Sequence, residues 1–433
     1  MSEVPAQAAI KRSVRMLRKA ALAAARAGVG GQVIEDESFS GDSIILQGQK
    51  LANFGLCSYL GLGTDERVVD AAIDATRRYG TSYSSSIAYT SLGLYSELTE
   101  RLSAMLGAGV ILAGTTTLGH LAALPVLVGK GDVAVVDSQA HASVLSVRPM
   151  LTANGAEVRS VPHIDIEEIE RRIGEAGDRQ VWYLTDGVFS MHGDSVPAEE
   201  IRALLDQYPN FHVYCDDAHG FGWDGLRGMG NFLKRSGWHD RLVISAGMAK
   251  SFGTIGGIVA TQNADLLKVI RLAGSPLVFG GPIPPPMLGA SIAAADIHLS
   301  DDHPRLQGEL NRRISLVNEF SEEIGLPLAV REHNPIWYLE IGSFGNTFAA
   351  AESMRKAGFY VNPAVFPVVA RGHGGIRFTV TNYHSIPQIE EMLVCLNQIR
   401  LEMFGETDIA VDMTEADAMG GSTSPESQEP KAQ

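Results

Sequence analysis

The sequence predicts an α/β protein whose main domain contains a mostly parallel β-sheet with helices on both faces. Short apolar runs alternate with stretches of helical length, as expected for strands joined by crossover helices. With 433 residues and 45% hydrophobic content, the chain can bury a large core and form about two domains. The runs predicted as strands of the main sheet are VILA at 110–113, VAVV at 133–136, VWYL at 181–184, HVYC at 212–215 and LVIS at 242–245.

The composition divides the chain into four segments. The Pro-rich stretch GGPIPPP at 280–286 precedes a long helical run and a smaller α/β region, with strands expected at 336–341 and 375–381. The end of the chain has too few large apolar side chains to offset chain entropy. The predicted segments are an N-terminal helical arm at 1–50, a large domain at 51–295, a small C-terminal domain at 296–405 and a disordered acidic tail at 406–433.

The alanine-rich stretch at 8–27 is predicted to be a basic amphipathic helix. It contains several Lys and Arg residues and no acidic residue. Apolar side chains recur at helical spacing at Ile10, Val14, Leu17 and Ala21. Such a helix can lie on an anionic membrane or act as a targeting peptide, but more often it packs on its own protein or on a partner subunit. We therefore expect it to contact protein rather than a membrane.

Charge and cysteine content argue against several classes of protein. The formal net charge of −15 disfavours a general affinity for nucleic acid, whose phosphates require basic surfaces. No apolar run approaches the roughly 20 residues that span a bilayer. Cys57, Cys215 and Cys395 have neither metal-ligand spacing nor the pattern of a disulfide framework. We expect no metal site and a cytoplasmic location.

Polar side chains follow each of the five predicted strands. The carboxyl ends of parallel strands meet at one edge of an open sheet, where ligands bind. Singly, such residues have ordinary explanations, since threonine and glycine cap helices and a lone lysine usually lies on an exposed loop. The groups at the predicted edge are Thr115 and Thr116 in AGTTTLGH (113–120), His141 in DSQAHASVL (137–145), Ser190 in TDGVFSMHGD (185–194), Asp216 and His219 in DDAHGFG (216–222), and Lys250 after LVIS.

Together these groups indicate a cofactor that carries both an aldehyde and a phosphate. A metal ion would use the carboxylates and imidazoles but would leave the threonines and the lysine without a role. Lys250 lies in the apolar segment VISAGMAKSFGTIGG at 243–257, where burying an ammonium is costly and a neutral amine is nucleophilic. Pyridoxal 5'-phosphate (PLP) needs a lysine for its Schiff base, an acid at its ring nitrogen, a group against its ring and donors for its phosphate. The sequence therefore predicts a PLP site.

The same motifs resemble those of the α-oxoamine synthase family of fold-type-I PLP-dependent enzymes. This family includes 8-amino-7-oxononanoate synthase, 5-aminolevulinate synthase, glycine C-acetyltransferase and serine palmitoyltransferase. The resemblance extends from about residue 51 to about residue 403 and implies a large PLP-binding domain and a small C-terminal domain. The matching segments are NFGLCSYLGLGTDERV (53–68), HAS (141–143), DGVFSMHGD (186–194), DDAHGFG (216–222), AKSFGTIGG (249–257), IPPP (283–286) and IRFTVTNYH (376–384).

The resemblance implies a role for each residue around the cofactor. Lys250 would form the Schiff base and move the substrate α-proton, and Asp216 would pair with the ring nitrogen. His219 would hydrogen-bond the phenolic oxygen of the ring. His141 would stack on the ring, with Ser190 beside it. Either imidazole would also help to polarise the carbonyl group of the product.

The implied reaction is a decarboxylating condensation of glycine, alanine or serine with an acyl thioester on CoA or a carrier protein. Arg377, in the last matching segment, would bind the substrate carboxylate, for which a guanidinium is well suited. The product would be an α-aminoketone, and the enzyme would be a homodimer with its active site at the interface. Two alternatives stay open: another PLP reaction, such as transamination or side-chain cleavage, and a non-catalytic binding protein that has kept the fold.

Some positions that would bind the cofactor phosphate differ from the family pattern. The residue three before the lysine, usually threonine or serine, is Gly247. A Thr-Thr-Ser sequence before the proline pair has become GGP at 280–282. We therefore expect phosphate binding to have moved to Thr115, Thr116 and Ser245.

Overall fold

The structure is a computed structural model that describes residue 18, residues 21–36 and residues 38–405. Within the predicted basic helix, residues 18 and 21–26 are helical, and the stretch before residue 18 lies outside the described residues. The acidic tail predicted at 406–433 also lies outside them. No helix in the described part is long and apolar enough to cross a membrane.

Strands and helices alternate through most of the described chain. The strands are β1 (Ser43–Leu46), β2 (Gln49–Asn53), β3 (Gly109–Ala113), β4 (Val133–Asp137), β5 (Glu157–Val161), β6 (Val181–Asp186), β7 (Phe211–Asp216), β8 (Leu242–Gly247), β9 (Gly257–Thr261), β10 (Ile336–Gly342), β11 (Phe359–Tyr360), β12 (Asn362–Ala364) and β13 (Gly374–Thr379). The helices are α1 (Glu66–Tyr79), α2 (Gly93–Leu106), α3 (Thr116–Leu127), α4 (Ala142–Leu145), α5 (Arg148–Ala153), α6 (Ile166–Ala176), α7 (Ala198–Gln207), α8 (Asn231–Ser236), α9 (Ala264–Ala273), α10 (Ser275–Phe279), α11 (Pro285–Leu299), α12 (Asp302–Glu323), α13 (Phe344–Lys356) and α14 (Ile386–Phe404).

The main sheet has seven strands in the order β3-β9-β8-β7-β6-β4-β5. Neighbouring strands from β8 to β5 are parallel, whereas β9 is antiparallel to both β3 and β8. All five predicted apolar runs form strands of this sheet, which confirms the mostly parallel α/β fold. The sheet also contains β5, an edge strand whose sequence EVRSV is partly exposed and lacks the continuous apolar run of a central strand.

Side chains of the central strands alternate between two core layers. On β7, Val213 packs in one layer and Tyr214 in the other. Because this alternation has a period of two, Asp216 at the end of β7 points to the same side as Tyr214. The layer on that side includes Ala123 and Leu124 of α3. The end of β7 thus directs a carboxylate toward α3.

Two three-stranded sheets lie outside the main sheet. β10, β13 and β12 form an antiparallel sheet, and β10 and β13 correspond to the strands predicted at 336–341 and 375–381. The hairpin of β1 and β2 joins β11, so the region before residue 54 pairs with the region near residue 360. The segment predicted as a helical arm therefore includes β1. The domain limits given above remain a prediction.

Candidate active site

Three adjacent strands bring polar side chains together at one edge of the main sheet. The register places Asp186 at the end of β6 beside Asp216 on β7, and Asp216 beside Ser245 on β8. A pocket of about 240 Å³ opens at this edge. The predicted site residues that line it are Thr115, Thr116, His141, Asp216, His219 and Lys250.

Asp216 is a buried carboxylate with fixed hydrogen bonds. Its Oδ1 accepts from the backbone N–H of Ala218 at 3.1 Å, and its Oδ2 lies 2.9 Å from Nε2 of His120. Burial by itself would raise the pKa of Asp216, but His120 and the ammonium of Lys250 outweigh burial and lower this pKa below its usual value. Asp216 is therefore ionised at neutral pH.

Asp186 is a second buried acid in the pocket; it begins the segment DGVFSMHGD (186–194), but the sequence assigns it no role. Its Oδ1 accepts from the backbone N–H of His141 at 3.0 Å. His141 caps α4, and its Nδ1 lies 2.6 Å from Oγ of Ser143. Burial and the charge of Asp216 raise the pKa of Asp186. Its place at a strand end next to the end of β7 is the signal that could have identified it.

Lys250 is partly buried in the wall of the pocket, just after β8. Burial lowers the pKa of its amine, and the nearby charge of Asp216 only partly opposes this effect. A lysine with a lowered pKa loses its proton more readily and becomes a nucleophile. The setting of Lys250 therefore suits reaction with an aldehyde.

His219 is buried beside Tyr59, whose hydroxyl oxygen lies 2.7 Å from Nδ1. Burial and the positive charges of Lys250 and Arg377 lower the pKa of His219 well below its usual value. The imidazole is therefore neutral, with one nitrogen that donates and one that accepts. When Tyr59 donates to Nδ1, Nε2–H is the donor left for a ligand.

The N-terminus of α3 forms the predicted threonine cradle. The Thr115 hydroxyl accepts from the N–H of Leu118 at 3.2 Å and caps the helix. Oγ1 of Thr116 occupies the space beside Gly247, because a Cβ at residue 247 would lie 2.5 Å from it. A Cβ at Gly257 would lie 2.6 Å from the backbone nitrogen of Thr116. The two glycines thus make room for the first turn of α3, whose free N–H groups can bind an anion.

Three predicted residues, Ser190, Ser245 and Arg377, are not among those that line the pocket. Arg377 is buried on β13, where its Nε donates to the Ser190 carbonyl at 2.6 Å and its Nη2 lies 3.5 Å from Sγ of Cys57. Ser245 is fully buried, and a Cβ added at Gly119 of α3 would lie 4.0 Å from its hydroxyl. The Ser245 hydroxyl therefore lies beneath α3, apart from the threonine cradle.

The side chains of the pocket fit PLP. The first turn of α3 and the Thr116 hydroxyl, in the space left by Gly247, suit a phosphate. The ionised Asp216 suits a protonated ring nitrogen, and the amine of Lys250 suits an aldehyde. This set of groups on a mostly parallel sheet defines a PLP-dependent enzyme of fold type I.

Comparisons with known proteins show the family. The family model described as aminotransferase class I and II matches residues 49–395. The chain is 31% identical over 372 residues to 8-amino-7-oxononanoate synthase of Maricaulis maris (strain MCS10), covering 84% of this chain and 91% of the relative. It is 28% identical over 352 residues to serine palmitoyltransferase of Sphingobacterium spiritivorum, covering 80% of this chain and 86% of the relative.

A solved structure has the same fold. The serine palmitoyltransferase from S. paucimobilis with a bound PLP–myriocin aldimine has a TM-score of 0.81 at 21% identity, covering 88% of this chain and 96% of that chain. The chain therefore belongs to the aminotransferase class I and II family and, within it, to the α-oxoamine synthases. It is a PLP-dependent acyltransferase, which confirms the predicted family, fold and cofactor.

Proposed function

We propose that this enzyme condenses glycine, alanine or serine with an acyl thioester carried by CoA or a carrier protein. The products are an α-aminoketone, carbon dioxide and the free thiol. The observation that carries the proposal is the single pocket shared by Lys250, the ionised Asp216, His141 and His219 in a chain of the α-oxoamine synthase family. These are the groups that proton transfer at an amino-acid Cα requires.

Each pocket residue has a role in this reaction. Bound PLP supplies an electron sink for the negative charge that develops at the substrate Cα. Lys250 would hold the cofactor through its amine and move the substrate α-proton, as its lowered pKa allows. Asp216 would keep a negative charge beside the ring nitrogen, and His219 would donate Nε2–H to the phenolic oxygen. His141, whose backbone N–H donates to Asp186, would lie against the ring.

Arg377 binds the substrate carboxylate until carbon dioxide leaves. Its side chain is buried, the Ser190 carbonyl fixes Nε, and Nη2 lies 3.5 Å from Sγ of Cys57, which leaves Nη1 as the donor for an anion. The charge of Arg377 is close enough to lower the pKa of both Lys250 and His219. This supports a substrate position between Arg377 and Lys250.

The reaction is tested by following the thiol and carbon dioxide released from acyl-CoA in the presence of each small amino acid. We expect both products in equal amounts, and only when an amino acid is added. A 2-oxo acid formed without thiol release would indicate transamination, and an aldehyde would indicate side-chain cleavage. A protein that takes up no added PLP would contradict the proposal and indicate the non-catalytic alternative.

Replacing Arg377 with lysine is expected to raise KM for the amino acid by about ten- to a hundredfold, because hydrogen bonds to a charged group contribute about 1.5–3 kcal/mol. PLP affinity should change little. The measurement is steady-state kinetics at saturating acyl thioester, with the exposed Arg312→Lys as the matched control. An unchanged KM would remove Arg377 from the substrate site.

We further propose that the Thr116 hydroxyl replaces the hydroxyl that relatives carry at the position of Gly247. Both side chains would occupy the same space, because a Cβ at residue 247 would lie 2.5 Å from Oγ1 of Thr116. Thr115 contributes by capping α3, so its hydroxyl supports the helix N-terminus rather than the anion directly. The phosphate site would thus keep a hydroxyl group, which α3 supplies in place of the end of β8.

Thr116→Ala is expected to weaken PLP binding by about tenfold or more, the effect of one hydrogen bond to a charged group. Thr115→Ala should mainly lower the free energy of unfolding, by about 1 kcal/mol for a lost helix cap. Gly247→Ser should also weaken PLP binding, because its Cβ would clash with Thr116, whereas the double variant Thr116→Ala/Gly247→Ser should recover affinity. Equilibrium PLP titration measures each case, and unchanged affinity in Thr116→Ala would refute the assignment.

We infer a homodimer whose interface lies next to the pocket. Tyr89 and Phe279 are 85% and 83% exposed, which is unusual for large apolar side chains unless another surface covers them. Shortly after Phe279, the Gly281 carbonyl lies 3.5 Å from the position of a Cβ at Gly114, beside the threonine cradle. A partner subunit covering these side chains would therefore border the active site.

Sedimentation equilibrium is expected to give a dimer for the wild type. The double variant Tyr89→Asp/Phe279→Asp should dissociate and lose activity, whereas Leu272→Asp, at a side chain that is also exposed, should stay dimeric. A monomeric wild type with full activity would contradict the inference.

The state of the cysteines supports a cytoplasmic location, which is a further part of the proposal. Cys57, Cys215 and Cys395 are free thiols, as expected in the reducing cytoplasm, and cell fractionation tests this location.

The main sheet and the β10-β13-β12 sheet are separate, which supports a large domain at 51–295 and a small one at 296–405. The predicted boundary lies within α11, so limited proteolysis should cut first at the exposed turn of residues 300–301 that follows this helix. Cleavage first within the main sheet would contradict this division.

A further inference from the structure

His120 is a buried histidine that the sequence motifs did not single out. It lies on α3, one turn beyond the threonine cradle, and it is fully inaccessible to solvent. Its Nε2 lies 2.9 Å from Oδ2 of Asp216, and its Nδ1 lies 2.9 Å from the hydroxyl oxygen of Tyr214. Both ring nitrogens therefore have a partner on β7.

The hydrogen bond to Asp216 requires a proton on Nε2 of His120. An ionised carboxylate only accepts, so Nε2 must be the donor to Asp216. Nδ1 of the same ring lies 2.9 Å from the Tyr214 hydroxyl, which can either donate or accept, so this contact holds the ring with Nε2–H directed at Asp216. Tyr214 can do this because it is two residues from Asp216 on the same strand and points to the same side.

The charge of Asp216 depends on its surroundings. Burial favours the neutral form of a carboxyl group. At the neighbouring Asp186 burial is the largest effect, and the pKa of that residue is raised. His120 lowers the pKa of Asp216 more than Lys250 does. An apolar residue at position 120 would avoid the cost of burying an imidazole. It would, however, leave Oδ2 of Asp216 without its hydrogen bond to Nε2.

We propose that His120 is a positioning residue that keeps Asp216 ionised and orients it toward the ring nitrogen of PLP, with Tyr214 fixing the orientation of the imidazole ring. The inference rests on the role proposed above for Asp216. His120 and the threonine cradle belong to the same helix, so α3 holds both the phosphate end and the nitrogen end of the cofactor. A shift of α3 would change both contacts together.

The test is ¹⁵N NMR of the holoenzyme loaded with PLP labelled at the ring nitrogen, together with PLP affinity. In His120→Leu, the ring-nitrogen resonance should move from the protonated toward the unprotonated range, and PLP binding should weaken by about ten- to a hundredfold, the usual effect of losing such a supporting contact. Tyr214→Phe should move the resonance less, in the same direction. His212→Asn is the matched control, because His212 lies on β7 and bonds Gln180 instead of Asp216.

The outcomes separate this inference from the proposed function. A wild-type resonance in a folded His120→Leu protein would overturn the role of His120. If that variant does not fold, Tyr214→Phe decides, and an unshifted resonance there would overturn the inference. Asp216→Asn is measured in parallel, and if it leaves the resonance unchanged, the role of Asp216 itself is wrong. A shift in Asp216→Asn without one in His120→Leu would refute only the role of His120.

Discussion

Replacing Lys250 with alanine is expected to lower kcat by about a thousandfold or more, since a positioned acid–base group contributes about 10²–10⁴ and the covalent link is lost as well. Lys250 supplies an amine with a lowered pKa to the wall of the pocket. Borohydride reduction followed by intact-mass measurement should show a stable PLP adduct in the wild type and none in Lys250→Ala.

The control for this prediction is Lys268→Ala, which removes an exposed lysine on α9. It should keep both the adduct and full activity. Peptide mapping should place the wild-type adduct on Lys250. An adduct on another lysine, or activity that survives in Lys250→Ala, would show that a different amine holds the cofactor.

Replacing Asp216 with asparagine is expected to lower kcat by about a hundred- to a thousandfold, the effect of removing one preorganised electrostatic group. The amide has nearly the same shape but carries no charge beside the ring nitrogen. The fold should persist because Ala218 N–H can still donate to the remaining oxygen. Kinetics and the ¹⁵N resonance of the ring nitrogen measure the two consequences.

Asp217, the next residue in the chain, provides a matched control for Asp216. It is fully buried, its Oδ2 accepts from the N–H of Phe232 at 3.0 Å, and it is not among the residues that line the pocket. Burial raises its pKa to about 8, so the carboxyl is mostly protonated at neutral pH and asparagine imitates it. Asp217→Asn should therefore keep activity. Equal losses in Asp216→Asn and Asp217→Asn would indicate general damage to the core instead of a specific role for Asp216.

The raised pKa of Asp217 also predicts how the free energy of unfolding depends on pH. A carboxyl group whose pKa is raised on folding contributes its full stability below its unfolded pKa of about 4 and loses it as the pH rises through about 8. The wild-type free energy of unfolding should therefore fall between these values. Chemical denaturation of Asp217→Asn should show a smaller fall across the same range, and an identical fall would assign the effect to other groups.

The sequence alone determined the sheet and the edge at which the chemistry lies. The central strands are buried on both faces, so they read as continuous apolar runs, and helix-length segments between them require parallel pairing. Parallel strands end at one edge, which is why Thr116, His141, Asp216 and Lys250 could be expected to meet. The motif order then indicated the family, which the comparisons confirmed.

Only the tertiary structure decided which side chains reach one another. Sequence spacing does not show that Ser245 points beneath α3, or that Oγ1 of Thr116 occupies the space beside Gly247. It also does not show that His120 joins Asp216, because that contact links residues 96 positions apart. The physical reason is that strand periodicity fixes the side of the sheet to which a side chain points, whereas hydrogen bonds depend on how helices pack against that side.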